Sequence, residues 1–155
     1  RKYNVPIKIL RIFHTFGPGL RNDGKVITDF FNMGIKRREI KLRDMGESYI
    51  SYCYISDSIR AILGVLFRGD KGEVYNIGDD TNCIKVKDIA KIISKIIGDD
   101  VSVCINNELN FRDGYKIIKR NPNILKITGL GFKPEILFEE GLKRLKRHYD
   151  EAGYF

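Results

Sequence analysis

An α/β fold is what this sequence predicts, and three observations carry the prediction. Ile7, Ile9, Leu10, Ile12 and Phe13 form a run that is apolar on both faces, which suits a buried parallel strand. Val74-Tyr75-Asn76-Ile77-Gly78 is a second short strand, closing on glycine. Between and after these, stretches of helical spacing alternate with further strand-like runs. At 155 residues the chain can bury one respectable core.

Each element has its own reason. Arg1 to Asn4 read as the tail of an element that began upstream, and the first residue is not Met, as expected of a processed, truncated or partial product. The first strand stops at Gly17-Pro18-Gly19, where proline fixes φ and its neighbours are free to take positive φ. His14, Thr15 and Phe16 are thereby delivered to the C-terminal end of a parallel strand, the rim where open α/β sheets bind ligands. From the residues alone, His14 reads either as a ligand contact or as a hydrogen-bonded residue at a strand end.

Leu20 to Lys25 form a polar loop with an Asn22-Asp23-Gly24 turn signal. Val26 to Arg37 carry Ile27, Phe30, Phe31, Gly34 and Ile35 at helical spacing. Ile40-Lys41-Leu42 and Tyr52-Cys53-Tyr54-Ile55 read as short strands. Ser56-Asp57 is expected to cap the helix that follows, whose apolar stripe is Ile59, Ile62, Leu63, Leu66 and Phe67. Val86 to Ile97 is the strongest amphipathic helix, stopped by Gly98. Val101, Val103 and Ile105 alternate with polar residues as a half-buried strand does. Asn106 to Lys119 read as a polar loop, and Pro122 as the first residue of a short helix. Phe138, Leu142, Leu145 and Tyr149 stripe the last helix, with acids in its first turn and bases towards its end.

The words at these places resemble a known family. Arg11-Ile12-Phe13-His14-Thr15-Phe16-Gly17-Pro18 is similar to the strand-end motif R-x-x-(N/H)-x-(Y/F)-G-P of the extended short-chain dehydrogenase/reductases. The most similar members are nucleotide-sugar epimerases, 4,6-dehydratases and UDP-glucuronate decarboxylases. Gly72 to Gly78 resembles their G-E-x-Y-N-(I/V)-G, and Gly131-Phe132-Lys133-Pro134 and Phe138 to Leu142 resemble G-(W/F)-x-P and L-E-E-G-L. The resemblance covers nearly the whole chain but only the C-terminal half of the family's fold. It implies the last strands of a Rossmann-like parallel sheet plus the small α/β substrate-binding domain. With the rest of that sheet absent, the strand around Ile9 is expected to present an unpaired apolar edge.

The same resemblance supplies site expectations. His14 stands where many relatives carry an Asn that hydrogen-bonds the nucleotide sugar. Asn22 to Ile27 looks like the decarboxylase segment N-D-G-R-V-V that wraps the nucleotide, which singles out Lys25 and Val26. Lys25 keeps the charge of the family arginine but loses its bidentate fork; its bland alternative is an exposed loop lysine. Gly46 to Asp57 resembles D-G-x-x-x-R-(S/A)-(F/Y)-C-Y-(I/V)-x-D, except that the arginine gripping the diphosphate falls on Ile50. Arg43 and Arg37 are the nearby cations. Arg120-Asn121-Pro122-Asn123 resembles R-x-P-D, whose arginine also contacts the diphosphate; the alternative is that Arg120 only tethers its loop.

No G-x-x-G-x-x-G opens a helix here, and Tyr49 has no lysine four residues on. Tyr115 does have Lys119 at that spacing, but in a stretch that reads as a polar loop, so the pair is not expected to stand in for the family's Tyr-x-x-x-Lys. The chain alone is therefore expected to hold no NAD and to carry no catalytic residue. The resemblance places NAD in an N-terminal portion outside this chain. Its parent is expected to act on an NDP-hexose, in surface polysaccharide synthesis, as a homodimer. The alternative is a truncated, non-catalytic nucleotide-sugar-binding or interaction module.

Composition narrows the partners. The net charge is +8 and the pI about 9.4, but the Lys and Arg residues are scattered and form no stripe interleaved with aromatics. That argues against nucleic acid, and a positive field equally suits a doubly negative nucleotide sugar. No apolar run is long enough to span a bilayer, so no membrane contact is expected. Three cysteines with no C-x-x-C spacing fit a reduced, cytoplasmic protein without a metal site.

Overall fold

The structure is a computed structural model that describes residues 5–22, 24–105 and 116–154. The expected upstream tail at Arg1 to Asn4, Asp23 of the turn signal, and the first ten residues of the loop expected from Asn106 lie outside the described residues.

Nine strands and five helices follow in the order β1 (Ile9–Ile12), β2 (Thr15–Phe16), α1 (Val26–Arg37), β3 (Glu39–Leu42), β4 (Tyr49–Ser51), β5 (Cys53–Tyr54), α2 (Ile55–Arg68), β6 (Val74–Ile77), β7 (Cys83–Lys85), α3 (Val86–Ile97), β8 (Ser102–Ile105), β9 (Lys119–Arg120), α4 (Leu125–Gly129) and α5 (Phe138–Ala152), counted among the described residues. The two strands singled out from sequence do pair in parallel, with Leu10 opposite Tyr75 and Ile12 opposite Ile77. Two further parallel pairs join β2 to β5 and β3 to β8. β4 lies between β7, antiparallel to it, and β9, parallel to it.

The apolar interior is in two parts. The larger joins α1, α3 and α5 to the small strands, through Phe31, Ile40, Ile89, Ile93, Leu142 and Leu145. The smaller lies under the β1–β6 pair, where α2 supplies Ala61 and Val65, and Ile124, Ile127 and Phe132 close it. Helices α1, α3 and α5 bury the stripes their spacing predicts. Helix α5 can approach the strands closely because Gly141 has no side chain; a Cβ there would lie 2.7 to 2.9 Å from ring atoms of Phe16 and Tyr54.

Several expectations are corrected. Strand β1 is not buried on both faces: Ile9 is 48% and Ile12 56% exposed, because β6 is its one strand neighbour among the described residues. Helix α2 turns Asp57, Ser58, Ala61 and Val65 inward and leaves Ile59, Leu63, Leu66 and Phe67 exposed. Four of the five residues of the apolar stripe read from its sequence therefore lie on its outer face, while Ile62 packs against the smaller core. Asp57 does not cap α2, whose N-cap is Tyr54. Its buried carboxylate instead accepts the backbone N–H groups of Glu135 and Ile136, both at 3.0 Å, and pairs with Arg60 at 3.0 Å. The short helix expected at Pro122 begins three residues later, at Leu125. Cys83–Lys85 and Lys119–Arg120 are strands where a loop or no element was expected.

Candidate nucleotide-sugar site

Two concavities adjoin on one side of the molecule. The larger is an open cleft of about 710 Å³ at the C-terminal rim of β1, floored by Ile12, Phe13 and His14. Tyr52 forms its back, Leu20 and Lys25 one side, and Lys119, Arg120 and Asn121 the other. The smaller pocket, about 310 Å³, is walled by the first half of α1 through Val26, Asp29 and Phe30. Lys41, Arg43 and Asp44 come to it from the end of β3, Tyr49 and Ile50 from β4, and Lys116, Ile118 and Arg120 from the β9 segment.

All five residues expected from sequence thus reach this region. His14, Lys25 and Arg120 meet at the larger cleft, and Val26, Arg43 and Arg120 at the smaller pocket. Arg120 borders both. It sits opposite Ile50 in the β4–β9 ladder, so the cation flanks the position where the resemblance places a missing arginine. Ile50 itself is buried in the larger core. Arg37 lies on neither concavity.

Local chemistry fixes each group. His14 follows β1, and its carbonyl accepts the Cys53 N–H at 2.9 Å, which registers the cleft floor on β5. Its ring lies 5.5 Å from that of Tyr52. Burial first, then the charges of Arg120 and Lys25, hold the His14 imidazole below its ordinary pKa. The imidazole is therefore neutral at pH 7 and able both to donate and to accept a hydrogen bond.

Gly24 takes a positive φ of 75°, and the chain then enters α1 at Lys25. The Lys25 carbonyl accepts the Thr28 hydroxyl at 2.9 Å and the Asp29 N–H at 2.8 Å. No side chain caps this helix start, so the positive end of the helix dipole lies beside the pocket. Arg43 reaches from β3 to Asp29 at 3.0 Å across the pocket mouth. From the far end of the chain, the Tyr149 hydroxyl donates to the Leu20 carbonyl at 2.9 Å, fastening the loop that leads to Lys25.

Sequence reasoning missed Lys119, Tyr49, Lys41 and Lys116. The Lys119 ammonium lies 6.0 Å and that of Lys85 5.5 Å from the Tyr49 ring centre. Lys85 is anchored in turn by Glu47 at 2.8 Å. Lys85 and Lys87 hold the Glu47 carboxylate down to about 2. The local signals for Lys119 were its adjacency to Arg120 and its place four residues after Tyr115.

The described residues hold no group of three or more His, Cys, Asp or Glu able to bind a metal ion. The three cysteines are free, and burial pushes the Cys53 thiol up to about 11. No helix among the described residues is long and apolar enough to cross a membrane.

The NAD dependent epimerase/dehydratase family model matches residues 1–78, half of the chain. The chain belongs to that family. Epimerase/dehydratase relatives include UDP-glucuronic acid decarboxylase 6 of Arabidopsis thaliana, 28% identical over 96% of this chain and 42% of that protein. The dTDP-D-glucose 4,6-dehydratase of Mus musculus is also 28% identical, over the same shares. Among solved structures, the UDP-glucose 4-epimerase of Thermotoga maritima with UDP-glucose superposes with a TM-score of 0.83 at 27% identity. That match covers 97% of this chain and 48% of the epimerase chain. The chain therefore spans less than half the length of these family members.

Proposed function

We propose that this chain is the nucleotide-sugar-binding part of an NAD-dependent epimerase, dehydratase or decarboxylase acting on an NDP-hexose. The observation that carries the reading is the position of Arg120 on the ridge between the two concavities. A diphosphate lying across that ridge puts its nucleoside in the smaller pocket and its sugar in the larger cleft. The α1 N-terminus, Lys25 and Lys119 add positive potential on the same side. Val26 shapes the nucleoside wall, and Arg43, already held by Asp29, closes its mouth.

Neither α2 nor α3, the helices that follow a strand directly, fits the pyrophosphate of NAD. Helices α2 and α3 begin directly from strand residues, at Tyr54 and Lys85, without the glycine turn that a pyrophosphate needs. Redox chemistry belongs to the rest of the parent, which we place in surface polysaccharide synthesis. Within this chain the residues bind, orient and charge-match the substrate. His14, held neutral, hydrogen-bonds the ligand at the cleft floor.

Calorimetric titration of the chain with UDP, dTDP and NAD tests this. Saturable binding of a nucleoside diphosphate and none of NAD is expected. Arg120 is exposed, so Arg120→Ala should weaken the diphosphate by about 1.5–3 kcal/mol, the range for hydrogen bonds to charged groups. Unchanged affinity in that variant would remove the phosphate role.

A further inference from the structure

Helix α1 turns one stripe to the smaller pocket, made of Val26, Asp29, Phe30 and Met33 at the spacing that shares a helix face. Asp29 is the exception in an apolar stripe. It is a carboxylate, 23% exposed, on the wall of a pocket that otherwise collects cations. A second acid lines the same pocket, but Asp44 Oδ1 already accepts the Gly46 N–H at 2.7 Å and shapes its own turn. Asp29 is held from one side alone. Arg43, 85% exposed, donates to Oδ2 at 3.0 Å, and among the described residues no donor engages Oδ1.

Place along the helix decides what that acceptor meets. Helix α1 starts at the border of the two concavities, where Lys25 lines the larger and Val26 the smaller. Arg120 borders both from the other side. A diphosphate on the ridge therefore lies beside the helix start. At the helical rise, Asp29 stands about 6 Å further along the axis than Lys25, and Met33 about 12 Å. Outward from its phosphates, a nucleotide presents the ribose and then the base. Asp29 is level with the first and Met33 with the second.

We propose that Asp29 reads the ribose, its Oδ1 accepting the 2′-hydroxyl, so that the pocket prefers ribonucleoside diphosphates to their 2′-deoxy counterparts. A carboxylate is an acceptor only, and the hydroxyls are the donors the ribose offers. Arg43 completes the arrangement. Bonded to Oδ2, it fixes the rotation of the carboxylate and offsets a charge that would otherwise repel phosphates one turn away. The inference rests on the nucleoside lying in the smaller pocket, and it adds which pentose that nucleoside carries.

Calorimetric titration of the full 155-residue chain with UDP and dUDP isolates the 2′-hydroxyl, since the two share base and phosphates. UDP should bind about tenfold tighter, the low end for a hydrogen bond to a charged group. In Asp29→Ala that ratio should fall to about one, through lost UDP affinity with dUDP binding kept. Asp29→Asn, which keeps a neutral acceptor, should hold an intermediate ratio. Each ratio is taken within one protein, so a smaller folded fraction affects both titrations alike and leaves it unmoved. Equal affinity for UDP and dUDP in the unaltered chain would overturn the inference. So would a ratio unchanged in Asp29→Ala, the result expected if the carboxylate read the base instead. Either outcome leaves the phosphate role of Arg120 standing. A chain that binds neither nucleotide would overturn the nucleotide reading and this inference with it.

Discussion

Ile50 faces Arg120 across the parallel β4–β9 ladder, and both side chains wall the same pocket. The buried apolar member and the exposed cation divide the work of one position. Ile50 packs against the larger core, while Arg120 keeps its head at the opening of two cavities.

Ile50→Arg should therefore have two opposite effects. Without ligand, a second guanidinium beside Arg120 at a buried site is expected to lower stability by about 3 kcal/mol. With a nucleoside diphosphate present, the new group can reach the pocket that Ile50 already lines. Thermal melts should show a lower Tm in the free protein and a larger rise on adding UDP than in the parent chain. A ligand-induced rise no larger than the parent's would show that the pocket does not bring phosphate to this wall.

His14 gives a pH dependence of known sign. Its folded pKa lies below the ordinary imidazole value, through burial and then the charges of Arg120 and Lys25. Between that lowered value and about 6.5 the unfolded chain binds the extra proton, so stability rises with pH across that window. The contribution is complete above about 6.5 and is lost as pH falls through the folded value. Ring-proton NMR should give a midpoint below 6.5 that moves up in Arg120→Ala and on binding UDP. A midpoint at or above 6.5 in the free protein would contradict this account.

Asp57 is a structural pin, and removing it should be costly. Asp57→Ala leaves two backbone N–H donors, at Glu135 and Ile136, without their acceptor and loosens Arg60. A loss of about 1–3 kcal/mol is expected from chemical denaturation, the range for hydrogen-bonding groups left without a partner, because the half-exposed Arg60 regains water. Asp57→Asn, which keeps one acceptor, should lose less. Equal losses would mean that the carboxylate's geometry does not matter.

Gly141→Ala tests the close approach of α5. The added Cβ meets the Phe16 and Tyr54 rings inside van der Waals distance, so the helix must shift outward. A destabilisation of about 1–3 kcal/mol should follow despite alanine's better helix propensity. The same shift carries Tyr149 away from the Leu20 carbonyl, so UDP affinity should fall too. Wild-type stability in this variant would mean that the rings give way instead.

What the sequence showed of the fold depended on who covers each surface. Helices α3 and α5 were readable because their own chain buries their stripes. Strand β1 and helix α2 misled for the opposite reason, since their most apolar residues face outward. Asp57 looked like a cap because its spacing fits one, whereas its backbone partners lie 78 and 79 residues away. The site followed the same division. Lys25, Val26 and Arg120 were reached through local wording. Tyr49 and Lys119 become neighbours only through the β4–β9 register, which no local pattern encodes.

The separation of the apolar interior into two clusters has a thermodynamic consequence. Every wall of the smaller pocket is built on elements of the larger cluster, apart from the β9 segment. The cluster under β1 and β6 rests on fewer side chains and on one open edge. The two parts should therefore melt as separate cooperative units, with the β1–β6–α2–α4 layer opening at lower free energy. Amides of β6 should then exchange well before those of α3 under native conditions. The smaller pocket would outlast the sheet beside it.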